Sequence, residues 1–265
     1  MVISEREWKA YIGRLAKINT AAADLIKAYI KEYGFDDRRA LIDYSYKVAR
    51  TYGNASAAVN ALMYDTIAEL EGVILPPAEL ADLPEYADVA KSVNGTMKIS
   101  LNPDLISGAI GRLVKQTGQD TMLKNALRDH AEFAWIPSGE TCAFCIALGS
   151  NGWKPMSAKA LKGGHAEHIH ANCDCSYMVR HSSDFDVAGY DPSKYLAMYN
   201  AGSNVPYENE NMSHPEDEST STQKINGMRR MAYANVKREA EQQGLSEKQT
   251  SKLLNSSAAS EINIG

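Results

Sequence analysis

Every cysteine of the chain lies between positions 142 and 175, first as Cys142-Ala-Phe-Cys145 and then within His165-Ala-Glu-His168-Ile-His170-Ala-Asn-Cys173-Asp-Cys175. Three of the six histidines share that stretch. Thiols and imidazoles gathered this way form the donor set of a zinc ion, which takes four such ligands in a tetrahedron. Cys142 and Cys145 have the spacing that lets two thiolates from one turn reach a single ion at roughly 2.3 Å. The remaining two ligands come from His170, Cys173 and Cys175, with His165 and His168 as further candidates. A disulfide between Cys173 and Cys175 is disfavoured because so short a loop strains the bridge. A sphere closed by protein ligands stabilises a fold rather than activating water, so the expected role of the zinc is structural.

Enzyme chemistry fits the same residues less well. His165-Ala-Glu167 with Cys142-x-x-Cys145 is close to the ligand set of zinc nucleobase deaminases, in which two cysteines and a histidine hold zinc and a glutamate shuttles protons. In that family the H-x-E element precedes P-C-x-x-C; here it follows, and Thr141 stands in the proline position. A zinc-supported nuclease would need His165, His168 or His181 to activate water beside a phosphate. The net charge of −5, spread along most of the chain, supplies no phosphate-binding footprint. Cysteines committed to a shared metal are poor nucleophiles, which weakens Cys–His catalysis. No Walker, G-x-G-x-x-G or G-x-S-x-G motif occurs.

At 265 residues the chain is long enough for one main body plus a smaller module. Its 44% hydrophobic and 23% charged residues belong to a soluble globular protein, and no apolar run reaches membrane-spanning length. The charged start, Met-Val-Ile-Ser-Glu-Arg-Glu-Trp, predicts no secretory signal and therefore synthesis in the cytosol, where cysteines stay reduced.

Ser4-Glu-Arg-Glu7 reads as a capping box, with Ile3 and Trp8 placed to staple across it. It opens a helix to Tyr33 that ends at Gly34 and carries an apolar stripe from Trp8 to Tyr29. A second helix begins near Asp36 or Asp37 and is expected to falter at Gly53-Asn54 before resuming to Leu70. Mixed text follows from Pro76 to Pro103, with a short helix over Tyr86 to Val93. Two more helices fit Asp104 to Thr117 and Asp120 to Trp135, separated by Gly118. Pro137-Ser-Gly139 then forces the turn into the cysteine module. Residues 203 to 222 have the composition of a linker, and a basic helix follows over about 223 to 243, with Lys224, Arg229, Arg230, Lys237 and Arg238. The predicted fold class is mainly α. It comprises a helical body (1–134), a small zinc-stapled α+β module (135–202), and a polar linker with a C-terminal helical tail (203–265).

The text from Trp135-Ile-Pro-Ser-Gly-Glu-Thr-Cys142-Ala-Phe-Cys145 through His168-Ile-His170-Ala-Asn-Cys173-Asp-Cys175 resembles the minor capsid, or head-morphogenesis, proteins of tailed bacteriophages, the Mu F-like group. Those proteins carry a CxxC pair and then H-x-N-C-x-C, which His170, Asn172, Cys173 and Cys175 match position by position. Leu113-Val-Lys-Gln-Thr-Gly-Gln-Asp-Thr121 is similar to their upstream helical region, so the resemblance spans roughly 105 to 200. Ala171 stands where many relatives have proline, which leaves the turn before Cys173 less rigid. The resemblance implies a structural protein without catalytic residues, made in the host cytoplasm and carried in the virion head. It would be present in few copies at the portal vertex and act in head assembly or DNA delivery. The implied partners are phage portal and capsid proteins, with packaged DNA a further partner for the basic tail helix.

Overall fold

The computed structural model describes residues 1–138, 140–159, 175–204, 220–246, 248–250 and 261–263. The Ser4 hydroxyl accepts the Glu7 N–H at 3.3 Å, and Glu7 returns a carboxylate oxygen to the Ser4 N–H at 2.9 Å. This reciprocal cap starts helix α1 (Glu5–Tyr33), which ends at Gly34 as expected. Asp37 caps α2 (Arg38–Leu70) by accepting the Ala40 N–H at 2.9 Å. The expected interruption at Gly53-Asn54 does not occur, and α2 is continuous. Gly53 is buried there because its face abuts Thr117 and Pro84, and a methyl group would already stand 3.2 Å from the Thr117 hydroxyl.

After α2 an irregular strap runs to α3 (Tyr86–Ile99), and Asn102 with Pro103 then opens α4 (Pro103–Arg128). The two helices expected on either side of Gly118 are one. Gly118 sits inside α4 because α2 passes so close that a Cβ would overlap Ser56 Oγ and Asn60 Nδ2. The helix also stops earlier than Trp135. Phe133, Trp135 and Ile136 belong instead to strand β2 (Glu132–Ile136), as aromatic and β-branched residues favour.

Ala22, Ile26 and Ile30 of α1, Leu41, Ile42, Val48 and Ala49 of α2, Val89 and Val93 of α3, and Ile106, Ile110, Leu113 and Val114 of α4 form one buried cluster. Each large aliphatic side chain in it contributes up to about 1.5–3 kcal/mol. Buried residues lie all around α4 rather than on one stripe, which marks it as the central helix.

Strands are short. β1 (Val2–Ile3) runs parallel to β6 (Asp186–Val187). β4 (Lys154–Pro155), β2 and β5 (Ser176–Arg180) form a three-stranded sheet with β2 central, Glu132 opposite Pro155 and Phe133 opposite Lys154. β3 (Glu140–Cys142) pairs antiparallel with β7 (Glu261–Asn263). The architecture is thus mainly helical with a small sheet content.

The chain divides into two compact units. The first joins Met1–Phe133 to Trp153–Gly189; the second joins Ala134–Gly152 to Tyr190–Gly265. In the second unit α5 (Ala143–Gly149), α6 (Pro192–Ala201), a 3-10 turn (Gly202–Asn204) and α7 (Thr220–Gln242) pack together. The Tyr190 hydroxyl donates to the Gly149 carbonyl at 2.9 Å, and Lys224 Nζ donates to Asn200 Oδ1 at 2.8 Å. Gly227 of α7 lies so near Gly202 that a side chain at either position would collide with the opposite backbone. Among the described residues no helix is long and apolar enough to cross a membrane.

Gly118→Ala should destabilise the protein by about 1–3 kcal/mol, because the added methyl must displace the buried Ser56 and Asn60 side chains. Gly95→Ala, in open space on α3, should be neutral or stabilising. Urea melts of the two variants beside the wild type check this.

Candidate functional site

Cys142 closes β3 and caps α5, and its Sγ accepts the Cys145 N–H at 3.4 Å. The two sulfurs therefore belong to a single turn, as CxxC metal ligands do, and an N–H aimed at sulfur favours the thiolate that a metal requires. Cys145 is buried and Cys142 half-buried. This part of the donor set fits zinc. Cys175, also fully buried, immediately precedes β5 and belongs to the first unit, whereas Cys142 and Cys145 belong to the second. None of the three is in a disulfide. His170 and Cys173, with His165, Glu167 and His168, lie outside the described residues. Among the described residues no group of three or more His, Cys, Asp or Glu side chains is placed to hold a metal.

Cys175 is followed by strand residues that are anchored from α4. Gln119 of α4 is fully buried; its Nε2 donates to Ser176 Oγ at 2.8 Å, and its Oε1 accepts the Tyr177 N–H at 2.7 Å. The Tyr11 hydroxyl, 3.4 Å from Ser176 Oγ, donates to Asn60 Oδ1 at 2.7 Å. Asn60 Nδ2 in turn donates to the Ser56 carbonyl at 2.9 Å. Burial pushes the Tyr11 phenol far up, so it stays a neutral donor. These contacts tie α1, α2 and α4 to the strand that begins one residue after Cys175. Periodicity did not mark Gln119 or Asn60, because a polar residue inside a helical pattern reads as a solvent-facing position.

His181, the third histidine weighed as an activator of water, is a packed ring. It meets Tyr64 edge-on with centroids 5.6 Å apart, and its Nε2 is buried with no hydrogen-bond partner among the described residues. The Glu71 carboxylate accepts the backbone N–H groups of His181 and Ser182 at 2.8 and 2.7 Å. Tyr64 donates to Asp129 Oδ2 at 2.7 Å, and Arg128 closes the group with an ion pair to the same oxygen at 2.7 Å. Strand β5 ends nearby in Arg180, whose guanidinium bonds Glu132 at 2.7 Å and lies 4.7 Å over the Trp153 ring.

Burial holds the His181 pKa below its ordinary value, with Glu71 and Asp129 pulling weakly the other way. The unfolded chain then takes up a proton near pH about 6.5 that the folded chain refuses. The stability His181 permits is therefore complete above that pH and declines as pH falls toward the folded pKa. His181→Phe, which keeps the ring contact with Tyr64, should gain melting temperature relative to the wild type as pH drops from about 7.5 to about 5.5. Parallel melting curves would show that His181 does not titrate on unfolding.

A family model described as VG15 protein matches residues 2–202. No curated protein and no solved structure matches the chain.

Proposed function

This chain belongs to the VG15 family of phage proteins, and on that premise we propose that it is a minor capsid, or head-morphogenesis, protein that acts at the portal vertex in head assembly or DNA delivery. The observation that carries the proposal is the family match across 2–202, which includes the whole Cys142–Cys175 segment on which the resemblance to Mu F-like head proteins rests. A mainly helical protein with exposed charged faces suits a role made of contacts rather than turnover. The alternative, a zinc-dependent nuclease or nucleobase deaminase, draws no support from the family match.

Within this function the zinc is a structural staple. Cys142 and Cys145 hold it from the turn before α5, and two of His170, Cys173 and Cys175 complete the tetrahedron. Few large apolar side chains accompany this segment, so metal binding supplies free energy of folding that burial does not. Protein purified under reducing conditions should carry about one equivalent of zinc by elemental analysis, as a closed site requires. Cys142→Ser should lose both the metal and the segment's protection from proteolysis. Less than about half an equivalent in the wild type would exclude the staple.

The α7 helix is the proposed contact with the portal, a capsid protein or packaged DNA. Arg229, Tyr233 and Lys237 recur at four-residue steps and are exposed, with Arg238 beside them. Replacing the three basic residues with Glu reverses their charge without touching the buried Gly227, Met228 and Ala232 that pack the helix. The Arg229→Glu, Lys237→Glu, Arg238→Glu triple variant should fold normally and yet be incorporated into phage heads several-fold less than the wild type. Equal incorporation, measured by quantitative mass spectrometry of purified particles, would remove α7 from the contact.

A further inference from the structure

Glu7, Ala10, Tyr11 and Arg14 of α1, with Leu62 and Leu70 of α2, line an open groove of about 210 Å³. Its apolar rim is unusually wet. Leu62 is 58% exposed and Leu70 41%, although both stand beside a depression that a side chain could fill. Arg14 is exposed at one end and has no ion-pair partner among the described residues. Glu7, also exposed, lies at the other end, and Ser4 engages its Oε2.

These features are arranged symmetrically about one level of the helix. Glu7 and Arg14 are seven residues apart, two turns or about 10 Å along the axis, and so share a face. Midway between them are Ala10, whose small side chain leaves a hole, and Tyr11, which floors it. Leu62, exposed in the wall of the same groove, lies two residues from the Asn60 that Tyr11 bonds. A surface with a knob beside a hole, flanked at equal distances by a cation and an anion, is complementary to a copy of itself rotated by a half turn.

We propose that this groove is the contact through which two copies of the chain pair about a two-fold axis at the level of Ala10 and Tyr11. The two α1 helices run antiparallel across it, Leu62 of each copy enters the hole beside Ala10 of the other, and Glu7 of each meets Arg14 of the other twice over. Burying Leu62 and Leu70 supplies the free energy; the charge pairs fix direction and register, because a parallel arrangement would set like charges together.

Analytical ultracentrifugation of the full chain under reducing conditions, from about 1 to about 500 µM, tests the pairing across the range expected of a modest interface. The mass should rise from 29.0 kDa toward twice that value with concentration. Leu62→Asp and Arg14→Glu, both at exposed positions, should each weaken dimerisation by about tenfold or more while circular dichroism and melting stay as in the wild type. Ile74→Asp, at a fully exposed apolar residue that does not line the groove, should leave the dimer intact. A mass of 29.0 kDa throughout, a dimer that persists in both groove variants, or a dimer lost equally in Ile74→Asp would overturn the proposal.

Discussion

The Gln119 amide is fully enclosed within α4, and an enclosed amide must find both a donor and an acceptor or cost the fold a few kcal/mol. It finds them in Ser176 and the Tyr177 backbone, so the central helix fixes where β5 begins. Much else depends on that bond. Tyr11 and Asn60 can sit buried only because the same cluster satisfies them, and α1 and α2 are thereby held to α4 by polar contacts as well as by the aliphatic core. Such a cluster is unforgiving: it specifies one register between the helices, since sliding any of them strands several polar groups at once.

Elements whose signals are local were evident from residue order alone. The Ser4–Glu7 box, the Asp37 cap and the stop at Gly34 each depend on neighbours in sequence, and each is where spacing put it. Glycine was misleading where its cause was distant. Gly53 and Gly118 looked like breaks but are places where two helices approach closely, a property that belongs to the pair and not to either segment. The end of α4 was similarly hidden, because the identity of the mostly apolar stretch Ala131 to Ile136 as a strand is set by pairing with β4 and β5.

At the candidate site, the Cys142–Cys145 turn was readable because CxxC spacing and the helix that follows are again local. Its surroundings were not. That Cys175 leads into a strand pinned from α4, and that His181 is a core ring against Tyr64, follow from contacts between positions more than fifty residues apart. The division into units has the same origin. Tyr190, Tyr195 and Met228 are buried with α5 although the intervening text resembles a linker in composition.

The strap between α2 and α3 has no helix or strand of its own, yet its backbone is held step by step from Pro76 to Ala81. Arg128 donates to the carbonyls of Pro76 and Pro77 at 2.9 and 3.1 Å, Asn125 bonds both the N–H and the carbonyl of Glu79, and Thr121 accepts the Ala81 N–H at 3.0 Å. Asp65 accepts the Ala78 N–H at 2.8 Å from the other side. A connection gripped this way cannot act as a hinge through which α3 exchanges between neighbouring chains, the usual route to domain-swapped aggregates. It also limits the low-energy opening that an irregular loop of this length would normally allow, so the Glu79 and Ala81 amides should exchange with solvent only when α4 itself lets go.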